Sequence, residues 1–363
     1  MSDNLRRYRA IKDGLLQLYP GEAKGHQLQS LTVLAMFING IVASKRTHTR
    51  EVAKKTPTGA KVSSREKQLS RWYQNEEVSY ESHMLPFVQE LLTHLSHLTL
   101  VLAIDGSDVG RKCVTLLVSL IYQKRAIPLI YLVRTGKKGH FPAELHIELF
   151  TELVKLLPDD SDVIVVGDGE FDSIELQTFL ADTGWSYVCR TAKNSLIQQH
   201  GHWQRLDEIE LFPGDCLPLF EVAVTQQAYE LPLLVLWWRQ DCAEPIYLVT
   251  NFDLVEEACY WYRKRMRIET FFSDQKSRGF HLHKSRISDP QRLARVMIAA
   301  CLAYIWIIYL GVLCHKAGWV SLLHRTDRCD LGLFQLGLDL LEHFLNEDLP
   351  IVFAFLLPLR PPP

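Results

Sequence analysis

Nineteen consecutive residues without a charge, Val296–Cys314, constrain this chain more than any other stretch. The length is close to what spans a bilayer, so the segment is either a membrane helix or the buried centre of a globular fold. Its flanks favour the second. Ser288-Asp289-Pro290-Gln291 has the pattern of a capping box with Pro at a helix start, and Arg292 and Arg295 fall in the first turn. Ala, Cys, Tyr and Trp interrupt the apolar run. The expectation is a buried central helix and no membrane partner.

A chain of 363 residues that is 47% apolar and 23% charged has the apolar mass for two or three domains, and disorder, collagen and coiled coil are excluded. Its eight Cys include no CxxC pair, and the start MSDNLRRYRA has no apolar leader, which points to reduced thiols in a cytoplasmic protein. The net charge of −2 hides an uneven distribution. Residues 45–72 carry nine Lys/Arg against two Glu, and residues 263–295 carry ten against three acids, so each stretch is +7 and the remainder −16. Two basic stretches in an otherwise acidic chain are an electrostatic footprint for polyphosphate.

Residues 1–95 read as helical. A third short helix from Ser63-Ser64-Arg65-Glu66, a capping-box pattern, carries Arg65, Lys67, Gln68, Arg71 and Trp72 and suits a helix-turn-helix-like module, with Arg65, Lys67 and Arg71 as DNA contacts. From Leu98 the texture becomes β-rich: 98–105, 113–122 and 127–133 suggest an antiparallel meander. A helix (142–157), a strand (162–168), a helix (171–183) and a strand (185–190) follow, giving an α/β fold with a mixed sheet. Strand-like runs over 195–250 read as a β-rich insertion, then a long helix over about 254–278 with Asn251 or Asp253 as its cap. The resulting division is 1–95 helical and DNA-binding, 96–194 with 251–315 catalytic core, 195–250 insertion, and 316–363 helical C-terminus.

Asp105 and Asp168 each close a Val/Ile-rich run, the position where open α/β sheets place their sites, with Asp108, Glu170 and Asp172 as rivals. On the helix that follows, Tyr262, Arg265, Glu269 and Lys276 fall within an arc of roughly 60° at about 100° per residue. The acid suits a metal while the cations and the phenol grip phosphate oxygens. Asp274 lies about 140° around from Glu269 and is expected to be a surface acid of little consequence. Hard carboxylate oxygens without His or Cys favour Mg²⁺.

The spacing Tyr262-x2-Arg265-x3-Glu269-x6-Lys276 resembles the Tyr-Arg-Glu-Lys signature of bacterial insertion-sequence transposases of the DDE class, the branch with hairpin intermediates. AIDGSDVGRK resembles the family's first-Asp motif and VVGDGEFDS its second, which often reads Asp-Arg-Gly-Phe where this chain has Asp168-Gly169-Glu170-Phe171. The resemblance covers residues 98–315 and implies a ribonuclease H-like core with Asp105, Asp168 and Glu269 as catalytic and metal-holding residues. It implies Mg²⁺, with Mn²⁺ as a substitute, cleavage at element ends, and strand transfer into target DNA. The partners would be duplex DNA, both terminal inverted repeats and target, and a second copy in a synaptic homodimer in the nucleoid-associated cytoplasm. In that branch an aromatic of the β insertion stabilises a flipped base; Trp237, Trp238 and Trp203 are candidates. Lys137, Lys138 and His140 are candidate loop contacts to DNA. The rival readings are an inactive DNA-binding descendant and a structure-specific nuclease of the same fold.

Overall fold

A computed structural model describes residues 2–95, 98–136, 139, 141–158, 161–199, 201–325 and 329–355. Six helices precede the first strand among them: α1 (Asp3–Leu18), α2 (Gly25–Ser44), α3 (Thr49–Lys55), α4 (Val62–Gln74), α5 (Tyr80–His83) and α6 (Leu85–Thr93). Helices α2, α3 and α4 pack on one another, and Gly40 sets how closely, because a methyl group there would overlap Val52. The expected capping box at Ser63 does not form. Helix α4 begins earlier, after Lys61, and has no side-chain cap, so Ser63 and Ser64 are first-turn residues. Trp72 faces inward, 5% exposed, and donates its indole N–H to Ser30 of α2.

Strands β1 (Leu100–Gly110), β2 (Cys113–Tyr122) and β3 (Arg125–Thr135) form the expected meander, turning at Lys112 and Gln123 in left-handed conformation. Helix α7 (Ala143–Val154), strand β4 (Val163–Gly167), helix α8 (Ile174–Asp182) and strand β5 (Ser186–Thr191) follow, with β4 parallel to both β1 and β5. The next five strands are β6 (Leu196–Gln199), β7 (His202–Arg205), β8 (Cys216–Val224), β9 (Tyr229–Trp237) and β10 (Ile246–Thr250). They continue the sheet of the first five strands. Strand β10 pairs antiparallel with β5, and one sheet runs β3-β2-β1-β4-β5-β10-β9-β8-β6-β7. An unpaired β5 edge would leave a row of open backbone groups, and β10 satisfies them.

The helix expected over 254–278 is two helices, α9 (Val255–Tyr262) and α10 (Arg267–Gln275). Between them Arg265 N–H donates to Tyr262 O and Ile268 N–H to Arg265 O, tight three-residue turns that break the α pattern. No Gly or Pro marks the break; cations satisfied on different sides do. Arg263 lies over the Trp237 ring at 4.9 Å and Lys264 over Trp261 at 3.9 Å, while Arg265 turns inward. Asn251 is not the cap. Its amide spans Trp185 O and Tyr187 N on β5, and α9 starts after Leu254 with no side-chain cap.

Helix α11 (Pro290–Lys316) contains the uncharged stretch and starts on Asp289, whose side chain accepts from Arg292 N–H, rather than on Ser288. Helices α2 and α11 are both long and apolar enough to cross a membrane; the apolar window of α11 is 89% buried inside the protein. It is the core helix, packed against α2, α4 and β3. After α12 (Val320–Leu323), helix α13 (Leu333–Asn346) crosses α11 where Gly311 and Gly337 meet backbone to backbone. A methyl group at Gly337 would overlap Ile307 O. Gly337→Ala should therefore cost about 1–3 kcal/mol by overpacking, read as a lower denaturant midpoint with an unchanged m value.

Candidate active site

Asp168 follows directly on β4, and Asp105 lies within β1 rather than at its end, since β1 runs on to Gly110 against β2. What ends near Asp105 is the parallel pairing. Ala103 pairs with Val166, and the same register carried two residues on sets Asp105 beside Asp168. Neighbouring strands are about 4.8 Å apart, and residues in register on parallel strands face the same side. The two aspartates are thus brought together at the carboxyl edge of the parallel strands by backbone pairing. Asp105 is 4% exposed, and the Asp168 side chain is 33% exposed.

Arg265 joins this pair to the helix-borne acid. Its guanidinium is 3.8 Å from Asp168 Oδ2 and 3.2 Å from Glu269 Oε1, and the residue is buried. Burial works against its charge, but the Tyr262 phenol and the carboxylates of Asp168, Asp105 and Glu269 outweigh it and raise its pKa. Burial also pushes the Tyr262 phenol up. Lys276 donates to Ser107 Oγ at 2.7 Å, two residues beyond Asp105 on the same face of β1. All four residues of the spaced set therefore border one site, although the helix that suggested them is broken.

The rival acids have other work. Glu170 accepts from Phe141 N–H at 2.6 Å, Asp172 accepts from the Thr191 hydroxyl at 2.6 Å, and Asp108 is exposed. Burial pushes the Asp172 carboxyl up. Asp274 is not a surface acid. It is 6% exposed and pairs with Arg125 of β3 at 2.6 Å, the opposite of the sequence expectation, because its side of α10 packs on the meander.

Arg65 is not free to meet DNA: it donates to the backbone carbonyls of Thr56 and Thr58 and closes the loop between α3 and α4. Lys67 and Arg71 are exposed on α4. Trp237 is 7% exposed beneath Arg263 and Arg239. Trp238 instead lines a cleft of about 790 Å³ that begins at Asp168 and Arg265 and includes Arg190, Lys193 and Phe212. Trp203 is 41% exposed on β7. Lys137, Lys138 and His140 lie outside the described residues. Sequence reasoning missed Ser107, Arg190 and Lys193; the alternation Asp105-x-Ser107 was the available sign for the first, and nothing local marked the others.

The carboxylates are hard oxygen donors of the kind Mg²⁺ takes. Among the described residues no three His, Cys, Asp or Glu side chains form a ready metal cluster. Arg265 supplies the counter-charge between Asp168 and Glu269 in this arrangement. Donor type suits a divalent ion, and Asp105, Asp168 and Glu269, which all act on Arg265, are the residues that would hold it.

A mixed sheet with paired acids at the edge of its parallel strands, and a third acid on a packed helix, defines an α/β protein with a carboxylate site. More than half of the chain, residues 101–306, matches the family described as "Transposase DDE domain", and the chain belongs to that family. No curated protein matches it. Among solved structures it is similar to the piggyBac transposase synaptic complex with hairpin DNA, at 12% identity and a TM-score of 0.46, over 94% of this chain and 79% of that one. It is also similar to human endonuclease V, at 14% identity and a TM-score of 0.27, over 58% of this chain and 86% of that one. The catalytic domain of the human endonuclease V gives 14% and 0.25, over 64% and 94%.

Proposed function

We propose that this transposase cuts DNA at the ends of an insertion sequence and joins the freed 3′ ends to target DNA, with Asp105, Asp168 and Glu269 as its catalytic and metal-holding carboxylates. The observation that carries this is the register that sets Asp105 beside Asp168, with Arg265 linking Asp168 to Glu269. The order β3-β2-β1-β4-β5, with β1, β4 and β5 parallel, supports a ribonuclease H-like core. The convergence of Tyr262, Arg265, Glu269 and Lys276 on one edge supports the Tyr-Arg-Glu-Lys branch of bacterial insertion-sequence enzymes.

What a bound Mg²⁺ or Mn²⁺ ion supplies there is activation of the attacking oxygen and stabilisation of the leaving one during in-line displacement. The chain's own groups do the rest. Arg265 and Lys276 take non-bridging phosphate oxygens, Lys67 and Arg71 follow the backbone of the end DNA, and Trp238 stacks a displaced base at the mouth of the cleft beside Asp168. Joining two ends needs two copies, so the working form is a synaptic homodimer acting on the nucleoid in the cytoplasm.

With Mg²⁺ and a duplex carrying the element's terminal repeat, the wild type should cut at the repeat boundary. Asp105→Asn and Asp168→Asn should each lose about 10³-fold or more in cleavage rate while DNA affinity stays within about twofold. Cleavage retained by either variant would remove that residue from the chemistry.

A further inference from the structure

The two basic stretches of the sequence, far apart along the chain, are brought against each other in space. The connection between α2 and α3 carries Arg46 and His48, and the segment between α10 and α11 carries Lys284 and Arg286; together with Glu51 these residues line a cleft of about 570 Å³. The two walls are tied where Thr47 donates its hydroxyl to His281 O at 3.4 Å, and the second wall is held to the sheet where Arg111 N–H at the β1–β2 turn donates to Ile287 O at 3.1 Å. Lys45, His281 and Arg286 hold left-handed backbone conformations, so the walls are shaped turns rather than continuations of helices.

The positive charge in this cleft is only partly answered by the protein. Arg46, Lys284 and Arg286 are exposed, and no carboxylate pairs with them among the described residues. The acid in the wall, Glu51, is already paired with Lys54 at 2.8 Å, and its carboxyl is held low first by that bond and further by Lys54, His48 and Arg46. The field continues to the candidate active site. Burial, Lys284 and Arg46 depress His281, and burial, Lys284, His281 and Lys276 depress His283, so these two imidazoles are held neutral between the cations that flank them. Exposed cations held near one another repel, and a polyanion threading among them relieves the repulsion.

We propose that Arg46, His48, Lys284 and Arg286 form a phosphate clamp that holds the backbone of duplex DNA between the N-terminal helices and the core as it leaves the active site. The proposal rests on the DNA-cutting function above, since it assigns the path of that enzyme's substrate, but its test requires neither metal nor cleavage. The clamp touches phosphates and not bases, so it fixes position and contributes affinity without sequence preference.

The experiment is equilibrium binding of a fluorescent 40-base-pair duplex of arbitrary sequence, by anisotropy over a series of NaCl concentrations without divalent ions. The full-length wild type is compared with the triple variant Arg46→Ala/Lys284→Ala/Arg286→Ala. A control triple variant, Lys155→Ala/Lys316→Ala/Arg325→Ala, removes the same charge away from the cleft. The clamp variant should bind at least about tenfold more weakly, and its slope of log K against log salt should be shallower by about 0.9 for each phosphate that it no longer neutralises. The control should stay near the wild type. Equal slopes and affinities for the two triple variants would overturn the clamp and leave the DNA-cutting function standing. A wild type that binds no duplex would overturn both. Far-UV circular dichroism should be unchanged in both, since all six side chains lie at the surface.

Discussion

Arg125→Ala should destabilise the protein by about 3–5 kcal/mol, because it strands a buried carboxylate. Asp274 on α10 and Arg125 on β3 are 149 residues apart in sequence and 2.6 Å apart in space. Neither side chain has much access to water, at 8% and 14% exposure. Burial pushes the Asp274 carboxyl up to about 6, although Arg125 and Arg278 pull it down. The sign of the pH effect follows. A carboxyl whose pKa is raised on folding binds more protons in the native state than in the unfolded one between the two values, so its contribution to stability falls as pH rises from about 4 to about 6. The wild type should gain stability from this group on acidification through that window, and Asp274→Asn should lose that gain. Arg125→Met combined with Asp274→Leu should recover most of the loss, since an apolar pair of similar volume does without the desolvation of two charges. Chemical denaturation of the four proteins at pH 7.5 gives the comparison; a single Arg125→Ala variant as stable as the wild type would contradict it.

That ion pair also marks where sequence legibility stopped. The apolar runs at 98–105, 113–122, 127–133, 162–168 and 185–190 identified β1 to β5, because each is a buried strand whose Val, Ile and Leu content reflects its own environment. The Ser288–Gln291 pattern with Pro290 located the start of α11 to within a residue for the same local reason, although Asp289 and not Ser288 is the cap. Asp274 failed because a charge pattern on one helix says nothing of what packs against it; only the fold brings Arg125 there. The break between α9 and α10 was invisible because Arg263, Lys264 and Arg265 are good helix formers, and the partners of Arg263 and Arg265 on distant strands, Trp237 and Asp168, are not legible locally. The strands over 195–250 were legible as strands, but the edge of β5 that recruits β10 was not. The acids fared better. Asp168 closes its strand as expected, and the equal offset that pairs β1 with β4 supplies Asp105 with its neighbour, a fact of register that no single segment contains.

The second large effect concerns Glu269. It stands in the first turn of α10 with its side chain half exposed, held by Arg265 and not by packing, so its replacement should leave the fold intact. Glu269→Gln keeps the shape of the side chain and removes the charge that pairs with Arg265 and that, in the proposed site, would hold a divalent ion. The loss should therefore appear in strand cleavage and joining, by about 10³-fold or more, and scarcely in DNA affinity or in thermal stability. Asp274→Asn should behave in the opposite way, with altered stability and its pH dependence but cleavage within about tenfold of the wild type at about 20 °C or below, where enough of the variant is folded.

The sharpest test of the three-acid site is therefore Mg²⁺-dependent cleavage of one end-containing duplex by Glu269→Gln and Asp274→Asn side by side, each confirmed as folded and DNA-bound. A site built from Asp105, Asp168 and Glu269 predicts cutting slower by about 10³-fold or more in the Glu269 variant and within about tenfold of the wild type in the Asp274 variant. Comparable cutting by the two would contradict the assignment of Glu269 as the third catalytic acid, and with it the assembly of Asp105, Asp168 and Glu269 into one site.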